Sequence, residues 1–376
     1  MKNKLRVLVV ISTLDKNGGA EKVAFYMSKI KGCKVEYVNF YKRDQEYKVN
    51  NPVYNLNESV SQSVFKNLIK IFTRAKKISE IAKEDGVDVC VGHMEESNIP
   101  LIVSKLVFGN RAKLVICLHN NLKVKHNWLY LFFLSFLYLW ADKIIGVSRL
   151  IVNDLAFPFF LKKKYQVIYN PVDLDLIKRR MSEESFEIDR KALSIVTVGR
   201  LHPQKNHKLF LRIMSNLDDH YKGYIIGEGS LRQEMEGEIA KNNLNNKVTL
   251  LGFQDNVFKF LKKSRLLVVT SKYEGFGLSI VEAMACGIPV ISMDCPYGPR
   301  EIITGSHKEA RGEIVYSNYG VLIRSETEDL FVKAIRSIVE DSAKYDFYSK
   351  QALERAQDFS VDKFKSRWRM LLRSMI

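Results

Sequence analysis

At 376 residues, 46% hydrophobic and 27% charged, the chain is long and apolar enough for two ordinary domains and is not disordered. Its formal net charge of +17 is uneven: residues 1–180 hold 30 Lys and Arg against 16 Asp and Glu, and residues 181–376 hold 29 against 26. A basic half beside a near-neutral half points to an anionic partner for one domain, with nucleic acid and an anionic membrane surface as the candidates and a generally basic proteome as the bland alternative.

The start, "MKNKLRVLVVIS", has too short an apolar run for a signal peptide and reads as a first buried strand. A helix follows in "GAEKVAFYMSKI". Next come a strand at 34–40, an amphipathic helix at 64–85, and strands at 87–92 and 113–119. "WLYLFFLSFLYLWA" (128–141) is shorter than the ~20 residues of a bilayer span. It is expected to be a core helix feeding the strand 143–148. The alternative is a helix partly sunk in a membrane interface, anchored by Trp128 and Trp140. "YQVIYNPVD" (165–173) closes this half. A charged linker is expected at 174–192. Strands then recur at 193–201, 223–229, 247–252, 265–271, 289–294 and 319–323, and a basic amphipathic helix ends the chain.

Apolar strands alternating with helices predict parallel sheets covered on both faces. The expected architecture is therefore α/β: an N-terminal domain over 1–173 and a C-terminal domain over 193–360, with the last helix (361–376) packing back on the first. Ligands of such sheets sit at the carboxyl ends of the strands, and the expected site is the cleft between the domains. The five cysteines, odd in number and without a CxxC, fit a reduced cytosolic protein better than a disulfide scaffold or zinc site.

Four motifs fall at strand ends. Gly18 and Gly19 precede a helix and leave backbone N–H groups open to an anion, although a plain tight turn explains them as well. Arg200 and Lys205 follow the first strand of the second half, where two cations suit a diphosphate. "GEG" (227–229) is another strand-to-helix turn. In "YEGFGLSIVEAMACGIPVI" (273–291), Glu274 lies in a loop and Glu282 in the following helix, so each carboxylate can hold a different polyol group. "DLD", with Asp173 and Asp175, sits away from these strand ends and reads as structural.

Taken together, "EGFGLSIVEAMACG", "GGAE", "GRL…K", "NPVD" and "GPREII" resemble the retaining glycosyltransferases of family 4, which have the GT-B fold of two doubly wound Rossmann-like domains facing across a cleft. The resemblance spans the whole chain and points to enzymes of surface-polysaccharide and lipid-linked oligosaccharide assembly. It implies that Glu274 lies by the transferred sugar and Glu282 by the nucleotide ribose. Phe276, Gly277 and Leu278 then offer N–H groups to sugar and phosphate. Arg200 and Lys205 neutralise the departing diphosphate, Gly18 and Gly19 close over the phosphate, and His119 reaches the donor sugar. No metal or other cofactor is expected. The implied partners are a UDP-sugar and a glycan or polyprenyl-diphosphate-linked acceptor. A nucleotide-sugar epimerase or a phosphorylase on the same fold is the rival enzyme. A nucleic-acid binder lacks any recognisable motif.

Residues 101–164 hold ten Lys and Arg and two acidic residues, and "FPFFLKKKYQ" (157–166) sets aromatics beside Lys162, Lys163 and Lys164. The helix from 64 mixes apolar residues with lysines in the same way. Both features suit an anionic headgroup boundary, so peripheral attachment to the cytoplasmic face of the membrane is expected.

Overall fold

The computed structural model describes residues 4–376 except 17, 44–45, 60–62, 121, 156–157, 184–187, 189–191 and 310. The chain forms two compact units: Met1–Pro171 with Val361–Ile376, and Val172–Ser360.

The first unit holds a seven-stranded sheet of β1 (Leu5–Ile11), β2 (Cys33–Asn39), β3 (Val53–Asn55), β4 (Val89–His93), β5 (Lys113–Leu118), β6 (Lys143–Gly146) and β7 (Tyr165–Val167). Their order is β3-β2-β1-β4-β5-β6-β7, with every pair parallel. Val7 to Ile11 are all buried, as helices on both faces require of a central parallel strand. The order reverses direction between β1 and β4. Loops there leave to opposite faces and open a crevice at the carboxyl ends.

Arg74 ties helix Val64–Glu84 to those ends. Its buried guanidinium meets Glu58 at 2.7 Å and Glu96 at 3.1 Å, and lies 3.9 Å from the Phe40 ring centroid. Glu96 in turn accepts hydrogen bonds from Ser12 and Tyr41, just past β1 and β2.

Helix Trp128–Tyr138 is core on one side only. Leu131, Leu134, Leu137 and Tyr138 are buried. Trp128 (72% exposed), Leu129, Phe132, Phe133 and Phe136 face outward, as does Trp140 beyond it. The expectation of a core helix is therefore corrected: an all-apolar run carries no 3.6-residue signal to tell its two sides apart. No helix among the described residues is long and apolar enough to cross a membrane.

The second unit repeats the plan with β8 (Leu193–Val198), β9 (Tyr221–Ile226), β10 (Val248–Gly252), β11 (Leu266–Val269), β12 (Val290–Met293), β13 (Ile314–Ser317) and β14 (Gly320–Ile323). The order is β10-β9-β8-β11-β12-β14-β13, with β13 antiparallel to β14. Its reversal lies between β8 and β11. The stretch expected to be a linker begins with helix Leu174–Arg180, whose N-cap is Asp173: the carboxylate accepts from Leu176 N at 2.9 Å.

Helix Val361–Arg373 completes the first unit's core rather than the second's. Phe364, Trp368, Leu371 and Leu372 join Val7, Val9, Tyr26 and Met27 in one apolar cluster. Trp368 is 1% exposed. Trp368→Ala should therefore cost the first unit about 3–5 kcal/mol in urea denaturation. A loss below ~1 kcal/mol would mean that this helix is not part of that core.

Candidate active site

In the second unit, the site grows from the β8/β11 reversal. Past β8, Arg200 is exposed, and its carbonyl faces His207 Nε2 at 3.2 Å. The chain then turns through Pro203–Lys205 and sends Lys205 back to the strand ends. Thr270, after β11, donates to the Lys205 carbonyl at 2.9 Å. Gly199 leaves room for the lysine stem: a Cβ there would lie 3.0 Å from Lys205 Cδ. Lys205 Nζ meets Glu274 Oε1 at 2.6 Å, and Ser271 Oγ donates to the same oxygen at 2.7 Å. Glu274 is 6% exposed. Two residues expected to play separate roles are thus joined in one largely buried pair.

Phe276 is buried and packs edge-on against Phe359, with ring centroids 5.5 Å apart. This contact anchors the loop. Gly277 then caps helix Leu278–Ala285 at φ 96°, a conformation that favours glycine. The N–H groups of Leu278 and Ser279 lie in the first turn, where an α-helix supplies no acceptor, and they carry the positive end of its dipole. Glu282 is half-buried on the same helix and adds its charge to the burial that pushes the Cys286 thiol up to about 12. Beyond β12, Asp294 holds Arg300 through two bonds of 2.9 and 2.8 Å. Sequence reasoning placed no role on that pair.

In the first unit, Gly18 precedes helix Gly19–Met27, and Glu21 folds back over it. A Cβ on Gly18 would lie 1.7 Å from Glu21 Oε2. The carboxylate thus occupies the space over the helix start that was expected to receive a phosphate. Burial, then Asp15, raises its pKa, while its own backbone N–H opposes the shift. An anion seated at Gly18 and Gly19 would have to displace this group.

His119, just past β5, is 8% exposed. Its Nε2 lies 2.9 Å from Nδ1 of His93, at the end of β4, and His93 Nε2 lies 3.4 Å from Met27 Sδ. His119 Nδ1 is buried without a hydrogen-bond partner among the described residues. Burial lowers the His119 pKa to about 4. Burial, reinforced by His119, lowers that of His93 well below its usual value. Both rings are therefore neutral at pH 7. Ligating atoms of His93, Cys117 and His119 lie within 4.8 Å of one another. The hydrogen bond between the rings accounts for the histidines, and burial keeps the Cys117 thiol protonated. Sequence reasoning missed His93. Its signal was a histidine closing the strand-like "VDVCVG".

Of the three lysines expected to face a membrane, Lys162 and Lys163 are exposed. Lys164 is not available: its Nζ donates to the carbonyls of Leu139 and Ala141 at 2.6 and 2.8 Å. This corrects the expectation, because those carbonyls at a helix end need donors. Phe157 lies outside the described residues. On helix Val64–Glu84, Phe65, Leu68, Ile69 and Phe72 are exposed, but Arg74 points inward.

Residues 18–176 match the family model "Glycosyltransferase Family 4", and residues 178–355 match "Glycosyl transferases group 1". A Campylobacter jejuni N-acetylgalactosamine-N,N'-diacetylbacillosaminyl-diphospho-undecaprenol 4-alpha-N-acetylgalactosaminyltransferase is 29% identical, over 93% of this chain and 94% of its own. The amylovoran biosynthesis glycosyltransferase AmsD of Erwinia amylovora is 23% identical over 98% and 99%. The solved structure of Anabaena HepE with UDP and glucose superposes with a TM-score of 0.80 at 18% identity, covering 98% and 100%. That likeness gives the fold, GT-B.

Lys205→Ala should strand a buried carboxylate and cost about 2–4 kcal/mol, whereas Glu274→Gln keeps the hydrogen bonds and should cost less than half as much. Urea denaturation of both variants checks this. Equal losses would mean that the pair does not stabilise this loop.

Proposed function

Because the chain belongs to the glycosyltransferases, with a family 4 domain followed by a group 1 domain, we propose that it moves a hexose or N-acetylhexosamine from a UDP-sugar to a lipid-linked glycan. The product serves surface-polysaccharide or glycan assembly. The observation that carries this reading is the Lys205–Glu274 pair beside the open N-terminus of helix Leu278–Ala285. It sets a cation, a carboxylate and two N–H donors at one strand end.

The chemistry follows from charge. Breaking the bond between the sugar carbon and the diphosphate leaves negative charge on phosphate and positive charge on carbon. Arg200, Lys205 and the N–H groups of Leu278 and Ser279 stabilise the first. Glu274 turns its carboxylate to the sugar and Glu282 binds the ribose. The acceptor oxygen bonds to the carbon as the sugar–phosphate bond breaks on the same face, its hydroxyl proton passing to the departing diphosphate oxygen, so the configuration is retained. With two side-chain cations on the leaving group, transfer needs no metal ion. The nucleotide of HepE and the acceptor named for the Campylobacter enzyme support the choice of substrates.

The first unit attaches peripherally to the cytoplasmic leaflet, where a lipid-linked acceptor resides. Support comes from the outward row Trp128, Phe132, Phe136 and Trp140, and from Phe159 and Phe160 beside Lys162 and Lys163. Aromatic bodies with adjacent cations suit an anionic interface.

Three measurements test these readings. In titrations with UDP, Glu282→Ala should weaken binding and Glu274→Ala should leave it nearly intact, while Arg200→Ala should lower sugar transfer by ~10²-fold. Equal loss of UDP binding in both glutamate variants would refute the division of roles. In co-sedimentation, the protein should pellet with anionic vesicles, less with neutral ones, and lose binding on Phe132→Ser/Phe136→Ser. Indifference to lipid charge and to those substitutions would rule out this mode of attachment.

A further inference from the structure

A thioether sulfur carries no proton and accepts one weakly. The 3.4 Å contact between Met27 Sδ and His93 Nε2 is therefore attractive when that nitrogen bears hydrogen. A neutral imidazole has one N–H. His93 Nδ1 must then be the acceptor in the 2.9 Å contact, and the hydrogen belongs to His119 Nε2. This leaves His119 Nδ1 as a bare lone pair, buried and without a partner among the described residues. The opposite assignment sets two lone pairs against each other at Met27 and strands a buried N–H on His119. Both rings sit at strand ends fixed by the sheet: His93 pairs in register with Cys117, two residues before His119.

We propose that Met27 and His93 are positioning residues that hold His119 in the tautomer with hydrogen on Nε2, so that Nδ1 accepts a hydrogen bond from a hydroxyl of the sugar ligand. The identity of that hydroxyl rests on the glycosyl-transfer reading; the tautomer rests on the first unit alone. A lone pair held in a buried place favours a ligand that supplies a proton to it and rejects an analogue lacking that hydroxyl.

The test is the long-range 1H–15N correlation spectrum of the histidines in the 15N-labelled full chain at pH 7, which needs no turnover. His119 should show a protonated Nε2 and a bare Nδ1. Met27→Leu keeps the volume but removes the sulfur, and His93→Leu removes the acceptor. Both should give His119 a mixture of tautomers. His93→Gln, whose amide oxygen takes the same N–H, should restore a single one. Transfer should fall about tenfold in His93→Leu and recover to within about threefold of wild type in His93→Gln. Hydrogen on Nδ1 of wild-type His119, an unmixed tautomer in both leucine variants, or equal loss of transfer in His93→Leu and His93→Gln would each overturn the assignment. If the glycosyl-transfer reading fails instead, no sugar is moved by any variant and the spectra still decide the tautomer.

Discussion

Parallel pairing is the constraint from which the rest follows. A parallel strand cannot be reached by a tight turn, so each step needs a crossover packed on one face of the sheet. Where the winding changes direction, beside β1 and β8, two crossovers depart to opposite faces and leave strand ends uncovered. The notable polar groups gather there: His93 and His119 in the first unit, Lys205 and Glu274 in the second. The apolar strands set these positions, and the polar residues occupy what the winding leaves open.

Each unit handles buried polarity differently. In the second, a cation and a carboxylate meet, and Ser271 completes the set. Desolvation of two charges is offset by their attraction and by added hydrogen bonds, a balance that removal of either partner upsets. In the first, the histidines meet burial by staying neutral. Arg74 shows a third solution, with two carboxylates and a ring face around one guanidinium. It pins the ends of β1 and β2 to the helices that cover them.

Central strands and the glutamate motif were legible in the sequence because their signals are local: an apolar run, a glycine, a fixed spacing. Long-range pairings were not. Lys205 and Glu274 are 69 positions apart, and nothing in either stretch announces the other. His93 went unread because a single histidine after a strand has no period, and Met27 because a methionine on a helix face looks like packing. β3 and β13, three and four residues long at sheet edges, fall below what alternation can reveal. Lys164 read as one of three surface charges, since its carbonyl partners exist only once the preceding helix has ended.

The docking of helix Val361–Arg373 on the first unit also sets an order of events in synthesis. Residues 172–360 must leave the ribosome before Trp368 reaches the cluster built around Val7 and Met27. At about 5–20 residues per second that interval is roughly 10–40 s. Through it the nascent first unit holds its sheet with one side of the core uncovered, exposed to chaperones and to other chains. The second unit is contiguous in sequence and can close as it emerges, whereas the first waits for residues made after all of the second.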